Sequence, residues 1–365
     1  MFTEQDLREL VEFVAPAPVL SLYLNTDPSE GNADFHRLRA RSMLKDINLP
    51  QDVEAIHRYL DFEYPFTGGG VAIFSCAQVG FFRGIPLAVP VRNAIHVGDR
   101  PSVKILAGLL DSYGGYGVVL VDKQGARLFY FHLGTLVEQE GIMGEAIKQV
   151  KRGGASSFPG RRGGVAGRTR AVEEQIERNM KETVEYATNF FEHHKVRRIL
   201  IAGTDENVQQ FRSHLPKSWL SLVVGSFPMS MTASHAEVLQ RAMQVANEAE
   251  KHREERLIED LITFAAKGTN AVVGLEETLQ AVNQGRVQTL VISEGFRKVG
   301  YRERDTDFLT TQPSEEGLQD GRYVKVFDVV ELAVNHTLRS GGDVDVVMQA
   351  EKLEKAGNIG AFLRF

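Results

Sequence analysis

Hydrophobic and polar positions alternate along "VLSLYLNT" (Val19–Thr26), a β-rich run whose period of two predicts a strand. The helix-prone "ADFHRLRARSMLKDI" follows. "GGGVAIFSC" and "QVGFFRGIPL" then read as a hairpin-like strand pair, and "SVKILAGLLDS" as a closing helix. This order predicts a small α+β domain ending near Gly114. In "GYGVVLVDKQGARLFYFHLG" (Gly115–Gly134), two β-rich runs flank the turn "DKQG", which predicts a hairpin. Val172, Ile176, Met180, Val184, Ala187 and Phe191 then recur at helical spacing. "AVEEQIERNMKETVEYATNFFEHH" is therefore an amphipathic helix, with glutamates in the first turns where the helix dipole favours them. "RRILIAGT" is a continuous apolar strand, "DENVQQFRSHL" restarts a helix with Asp205 as its cap, and "LSLVVGSF" is another strand.

The helix–strand alternation continues to the end of the chain. His235–Ala266 reads as one long helix rich in Ala, Glu, Arg and Leu. "GLEETLQAVNQGRVQTLVIS" gives a helix, a glycine stop at Gly285 and a buried strand; "DVVELAVNHTLRSGGDVDVVM" repeats that order. Between them "GYRERDTDFLTTQPSEEGLQDGR" (Gly300–Arg322) is polar and turn-rich, as expected of a surface insertion. The pattern predicts a multidomain α/β and α+β protein. Its parts are an N-terminal α+β domain over 1–114, a middle α/β domain over 115–232, and a third α/β/α sandwich over 233–365. No repeat of fixed period and no heptads interrupt it.

Length and composition agree. A chain of 365 residues exceeds what one core usually serves, and 43% hydrophobic with 25% charged residues is ordinary for folded proteins. The start "MFTEQDLREL" does not resemble a signal peptide, and no run approaches the length of a membrane span, so a cytoplasmic protein is expected. Cys76, the single cysteine, lies in the apolar run "GVAIFSCAQVGFF" and reads as a core residue.

One stretch breaks the charge pattern. The net charge is −6, yet "KRGGASSFPGRRGGVAGRTR" (Lys151–Arg170) holds six Lys or Arg, six glycines and no acid. It matches neither the Gly-Lys-Ser/Thr ending of a phosphate-binding P-loop nor the dinucleotide Gly fingerprint. Cations on glycine hinges suit a polyanion whose shape the loop must follow, such as structured RNA. The alternative is a solvated loop whose charge aids solubility. Ser156 and Ser157 lack the setting of a hydrolase nucleophile. His193 and His194 point to different faces and read as favourable cations at a helix C-terminus, and no histidine spacing suggests a metal site. The acidic runs "HREERLIED" and "SEEGLQD" are expected on solvated faces. No cofactor is expected.

From Gly115 onward the chain resembles the archaeal and eukaryotic class-one peptide chain release factor and its relative Pelota, in a divergent bacterial branch. "GYGVVLVDKQGARLFYF" is similar to the hairpin opening that family's middle domain, and "RRILIAGTDENVQQFRSHL" to its strand–glycine–helix segment. "HAEVLQRAMQVANEAEKHREERLIEDLI" with the following "GLEETLQAVNQGRVQTLVIS" resembles the long helix and the start of the third domain. "SGGDVDVVMQAEKLEKAGNIGAFLRF" is similar to the closing strand and its glycine-rich ending. In 1–114 the likeness is limited mainly to "VLSLYLNT" and "GGGVAIFS". The resemblance implies a ribonuclease-H-like middle domain and a third domain like the kink-turn-binding ribosomal proteins.

It also implies that Lys151–Arg170 stands where the family carries its Gly-Gly-Gln loop, which enters the peptidyl transferase centre. The matching pairs are Gly153-Gly154 and Gly163-Gly164, the second nearer the family spacing. They are followed by Ala155 and Val165, so the glutamine that orients the hydrolytic water is absent. Lys151, Arg152, Arg161, Arg162, Arg168 and Arg170 carry over as contacts to the RNA backbone. The stop-codon-reading Asn-Ile-Lys-Ser motif has no counterpart. No catalytic residue is assigned, and a non-enzymatic role is favoured. The expected function is ribosome binding of the rescue or hibernation type. The expected partners are large-subunit rRNA at the A site and a translational GTPase, with no membrane or DNA partner. Two alternatives stay open: a release factor or peptidyl-tRNA hydrolase with a rearranged loop, and an RNA-binding protein that has left the ribosome.

Overall fold

The computed structural model describes residues 2–144, 164–348 and 351–365. The chain divides into two compact units, one built from Met1–Ser112 with Lys251–Phe365 and the other from Tyr113–Glu250. The multidomain α/β and α+β class expected from the alternation is the one observed.

The first segment contains α1 (Glu4–Glu12), β1 (Val19–Asn25), α2 (Ala33–Leu44), α3 (Pro50–Arg58), β2 (Gly70–Cys76), β3 (Phe81–Leu87), β4 (Ala94–Gly98) and α4 (Lys104–Tyr113). Its antiparallel sheet has the order β3-β2-β1-β4. Alternation puts Leu20, Leu22 and Leu24 against Ala40, Leu44 and Ile56 of α2 and α3. Cys76 is 1% exposed and packs with Ala15, Ala17 and Val19, as its apolar setting required. Pattern reading missed α1, a single short helix started by a Thr3–Asp6 capping box, and it also missed α3 and β4.

Next come β5 (Tyr116–Val121), β6 (Gly125–His132), β7 (Thr135–Met143), α5 (Gly164–His193), β8 (Arg198–Gly203), α6 (Asp205–His214), α7 (Lys217–Leu220), β9 (Val223–Phe227) and α8 (His235–Ala266). The sheet order is β7-β6-β5-β8-β9, with β5, β8 and β9 parallel and β6 and β7 antiparallel. One face packs Val119, Leu128 and Ile201 on Met180, Ala187 and Phe191 of α5 and Phe211 of α6. The other packs Val118, Phe129 and Leu200 on Val238, Ala242 and Ala246 of α8. The cap of α6 is Thr204, which accepts from the Asn207 amide; Asp205 instead occupies the first turn, where the dipole favours an acid.

The last segment holds β10 (Ala271–Val273), α9 (Leu275–Asn283), β11 (Val287–Ser293), β12 (Gly300–Glu303), β13 (Leu309–Thr310), α10 (Glu315–Gln319), β14 (Tyr323–Val326), α11 (Val329–Arg339), β15 (Asp343–Val347), α12 (Glu351–Lys355) and β16 (Ile359–Leu363). Its main sheet runs β10-β16-β11-β15. Val291 of β11 faces Ile258 and Leu261 of α8 and Leu353 of α12. Its neighbours Leu290 and Ile292 point to the opposite face, where α9 and α11 cover the sheet. This is a three-layer sandwich. Gly285 and Gly341 take φ of 66° and 71° directly after α9 and α11, the left-handed stop that glycine permits. The polar stretch 300–322 is more ordered than a surface insertion: it contributes to a small sheet of order β13-β12-β14. Its strands are too short for an alternation to register. The acidic run 252–260 is likewise not all solvated. Glu254 is 2% exposed and accepts from the Met348 amide, and Arg253 is clamped between Asp111 and Asp345.

Within the unit made by the chain's two ends, α11 is joined to α4 by buried polar groups. Glu331, 3% exposed, accepts from Ser102 Oγ and from the amides of Val103 and Lys104. It thereby supplies the acid that the free N–H groups at the start of α4 require. Lys104 Nζ lies 3.1 Å from Asp328 and also donates to the Phe296 carbonyl. Both charges of this pair are over nine-tenths buried.

Candidate functional site

The stretch singled out by charge begins at Lys151, after β7 has ended at Met143, and finishes inside α5. Gly153, Gly154, Gly163, Lys151, Arg152, Arg161 and Arg162 lie outside the described residues. Gly164 is the first residue of α5, so Arg168 and Arg170 belong to that helix rather than to a loop reaching 170. The helix starts seven residues before the expected start at Ala171. Arg170 is exposed and pairs with Glu174 one turn later, Nε to Oε1 3.1 Å. An exposed pair at this spacing is worth only about 0.3–0.5 kcal/mol, so Arg170 exchanges it readily for another anion.

What lies on either side of the stretch is fixed by backbone contacts. Asp122 Oδ1 accepts from the amides of Gln124 and Gly125, which forms the turn between β5 and β6. The amide of Gly144, the last described residue after β7, donates to the Gln124 carbonyl at 2.6 Å. Asn179 of α5, 2% exposed, donates through Nδ2 to the Lys123 carbonyl and accepts from Gln175 Nε2. Turn, strand end and helix thus meet at one point. A Cβ on Gly144 would fall 2.6 Å from Asn179 Oδ1, so only glycine permits that approach. β7 is the edge of its sheet and exposes Thr135, Glu138 and Gln139, which blunts the edge.

The histidines at the other end of α5 differ from expectation. His193 is exposed, but His194 is largely buried and stacks on Tyr130 with ring centroids 4.6 Å apart. Its Nε2 is 3.3 Å from Glu138 without hydrogen-bond geometry. Burial holds the His194 pKa below the usual imidazole value, outweighing the opposite pull of Glu138; Glu140 also raises it and His193 lowers it. His194 is therefore a neutral packing ring at pH 7, not a helix-terminal cation. The unfolded chain binds a proton near pH 6.5 and the folded unit only below that. Stability should accordingly fall as pH drops from about 6.5 toward the lowered folded value. Thermal melts between pH 7.5 and 5 should show a shallower acid limb for His194→Phe than for the wild type.

Among the described residues no cluster of His, Cys, Asp and Glu could hold a metal ion, and no helix is long and apolar enough to cross a membrane. Asn179 and Gly144 belong to no periodic pattern, so neither was legible as an anchor before the fold was known.

Comparison with known proteins bears on the same segments. Residues 101–247 match the model of Bacterial archaeo-eukaryotic release factor family 10, and residues 251–365 match eRF1 domain 3. Peptide chain release factor subunit 1 of Thermococcus onnurineus is 26% identical over 313 residues, covering 76% of this chain and 72% of that protein. The protein pelota homolog of Methanocella arvoryzae is 28% identical over 223 residues, covering 58% of this chain and 54% of that protein. Among solved structures, the Archaeoglobus fulgidus Pelota is 14% identical with a TM-score of 0.35, over 99% of this chain and 92% of that one. Residues 101–247 and 251–365 thus belong, in order, to models of one lineage, the bacterial archaeo-eukaryotic release factor family and eRF1 domain 3, and the chain is similar to peptide chain release factor subunit 1 and to Pelota.

Proposed function

We propose that this chain is a ribosome-binding translation factor of the rescue or hibernation type, acting in the cytoplasm. One observation carries the reading. From Lys151 to Arg170 the chain concentrates six cations without an acid, at the position that the resemblance gives to the family's Gly-Gly-Gln loop, and the stretch lacks the glutamine. In this reading the segments 1–114, 115–232 and 233–365 act as three domains. Lys151, Arg152, Arg161, Arg162, Arg168 and Arg170 contact large-subunit rRNA backbone at the A site. Gly153, Gly154, Gly163 and Gly164 let the segment approach the peptidyl transferase centre closely. The last domain faces a protein partner such as a translational GTPase.

Sucrose-gradient sedimentation of lysates from growing and starved cells tests this. The protein should travel with ribosomal particles in at least one condition. Retention at the top of the gradient in both would overturn the reading.

A further inference from the structure

A second basic cluster lies in the unit built from the two chain ends, and its argument is independent of the proposed function. Asp99 and Arg100 follow the end of β4 and precede Pro101. Arg302 comes from β12, Asp307 from the turn between β12 and β13, and His336 and Arg339 from the last turns of α11. The three arginines converge on one carboxylate. Arg100 Nη2 donates to Asp307 Oδ2 at 3.2 Å. Arg302 Nη1 lies 3.8 Å from Asp307 Oδ1, and Arg339 Nη1 3.9 Å from Asp307 Oδ2. Arg302 also donates through Nη1 to Asp99. Asp307 sits at a φ of 58°, its amide donating to the Glu303 carbonyl, so the turn fixes where its carboxylate stands.

Donors outnumber acceptors here. Arg100 is only 7% exposed, yet its Nε and Nη1 have no hydrogen-bond acceptor among the described residues. Nε of Arg302 has none either. A buried guanidinium N–H without an acceptor is strongly disfavoured, which makes this an unusual arrangement for a purely structural ion pair. Charge is unbalanced in the same sense, because three arginines face two carboxylates. Burial lowers the pKa of His336, with Asp307 opposing and the three arginines reinforcing that shift. Its ring is therefore neutral at pH 7 and adds no charge of its own.

We propose that Arg100, Arg302 and Arg339 form a binding site for a tetrahedral oxyanion, either inorganic phosphate or a phosphate monoester. Guanidinium groups match such anions in geometry, and four oxygens supply acceptors to several N–H groups at once, which a single carboxylate does not. Access is from the side of Arg339 and Asp307, whose side chains are 44% and 34% exposed, with Arg100 at the floor. The ligand would join residues from both chain ends, so binding should stabilise that unit by mass action.

Thermal melts and isothermal titration of the full chain with inorganic phosphate, at ionic strength matched by sodium chloride, test the site. Phosphate should raise the midpoint beyond the chloride control. Arg339→Gln should weaken binding by about tenfold, the order expected for losing one charge-assisted bond, and Arg100→Gln should abolish it. Arg339 is half-exposed, so R339Q keeps the test valid even if R100Q does not fold. A parallel arm with adenosine 5′-monophosphate separates the two sources. Competition with inorganic phosphate admits monoesters, whereas binding of inorganic phosphate without competition restricts the site to the free ion. A phosphate effect equal to that of chloride, or one unchanged in R339Q, would falsify the proposal.

Discussion

Replacing Arg161, Arg162, Arg168 and Arg170 together by glutamine should weaken ribosome binding on the order of 10²–10³-fold at physiological salt. The figure follows from counterion release: each phosphate contact contributes a salt exponent of about 0.7–0.9, so four contacts at about 0.15 M salt multiply to that range. The slope of log affinity against log salt should fall by about three to four, and this is the more specific signature. Arg170 belongs in the set because its exposed pairing with Glu174 competes only weakly with a phosphate. Lysine at the same four positions preserves charge and should restore most of the binding, since backbone contacts carry no base specificity. Ribosome pelleting over a salt series reads both variants against the wild type. An unchanged slope in the glutamine variant would remove these residues from the interface.

Glu331→Ala should cost the unit formed by the chain ends about 3–5 kcal/mol, the range for removing one partner from a buried charged network. Three donors lose their acceptor at once: Ser102 Oγ and the amides of Val103 and Lys104. Water reaches none of them easily, because Ser102, Val103 and Lys104 are all buried. Glu331→Gln keeps the shape and one acceptor oxygen, so its cost should be roughly half, in line with the weaker bonds of a neutral acceptor. The measurement is amide hydrogen exchange along α4 together with the urea midpoint. If α4 exchanges at the wild-type rate in Glu331→Ala, the cap is not what secures that helix.

How far these features were legible depends on what kind of signal each left in the chain. The bounds of α8 at His235 and Ala266 coincide with expectation because a long helix repeats its pattern many times and ends on composition. The strands β5, β6, β8 and β11 were equally readable, their apolar runs being buried on both faces. β7 was not, because an edge strand keeps polar residues and its "TLVEQEGIM" looks like a loop. β12 and β13 are too short to show a period. The cationic stretch stood out by charge alone, and family resemblance gave it a place. Arg100, Arg302 and Arg339 left no such trace. They are ordinary arginines separated by much of the chain, and only folding collects them around Asp307. Glu331 and Lys104 are similar: inside otherwise apolar helices a charged residue reads as surface until its buried partner is known.

The way Gly144 and Asn179 are tied to the β5–β6 turn has a consequence for how this lineage can change. The bonds that fix the departure point run through the Gln124 and Lys123 carbonyls, the Gly144 amide and Asn179, and none of them uses a side chain from 145–163. These bonds therefore do not depend on which side chains stand at 145–163. Substitutions at 145–163 leave the bonds between the Gln124 and Lys123 carbonyls, the Gly144 amide and Asn179 in place. Change in that stretch and retention of its attachment can then be selected separately.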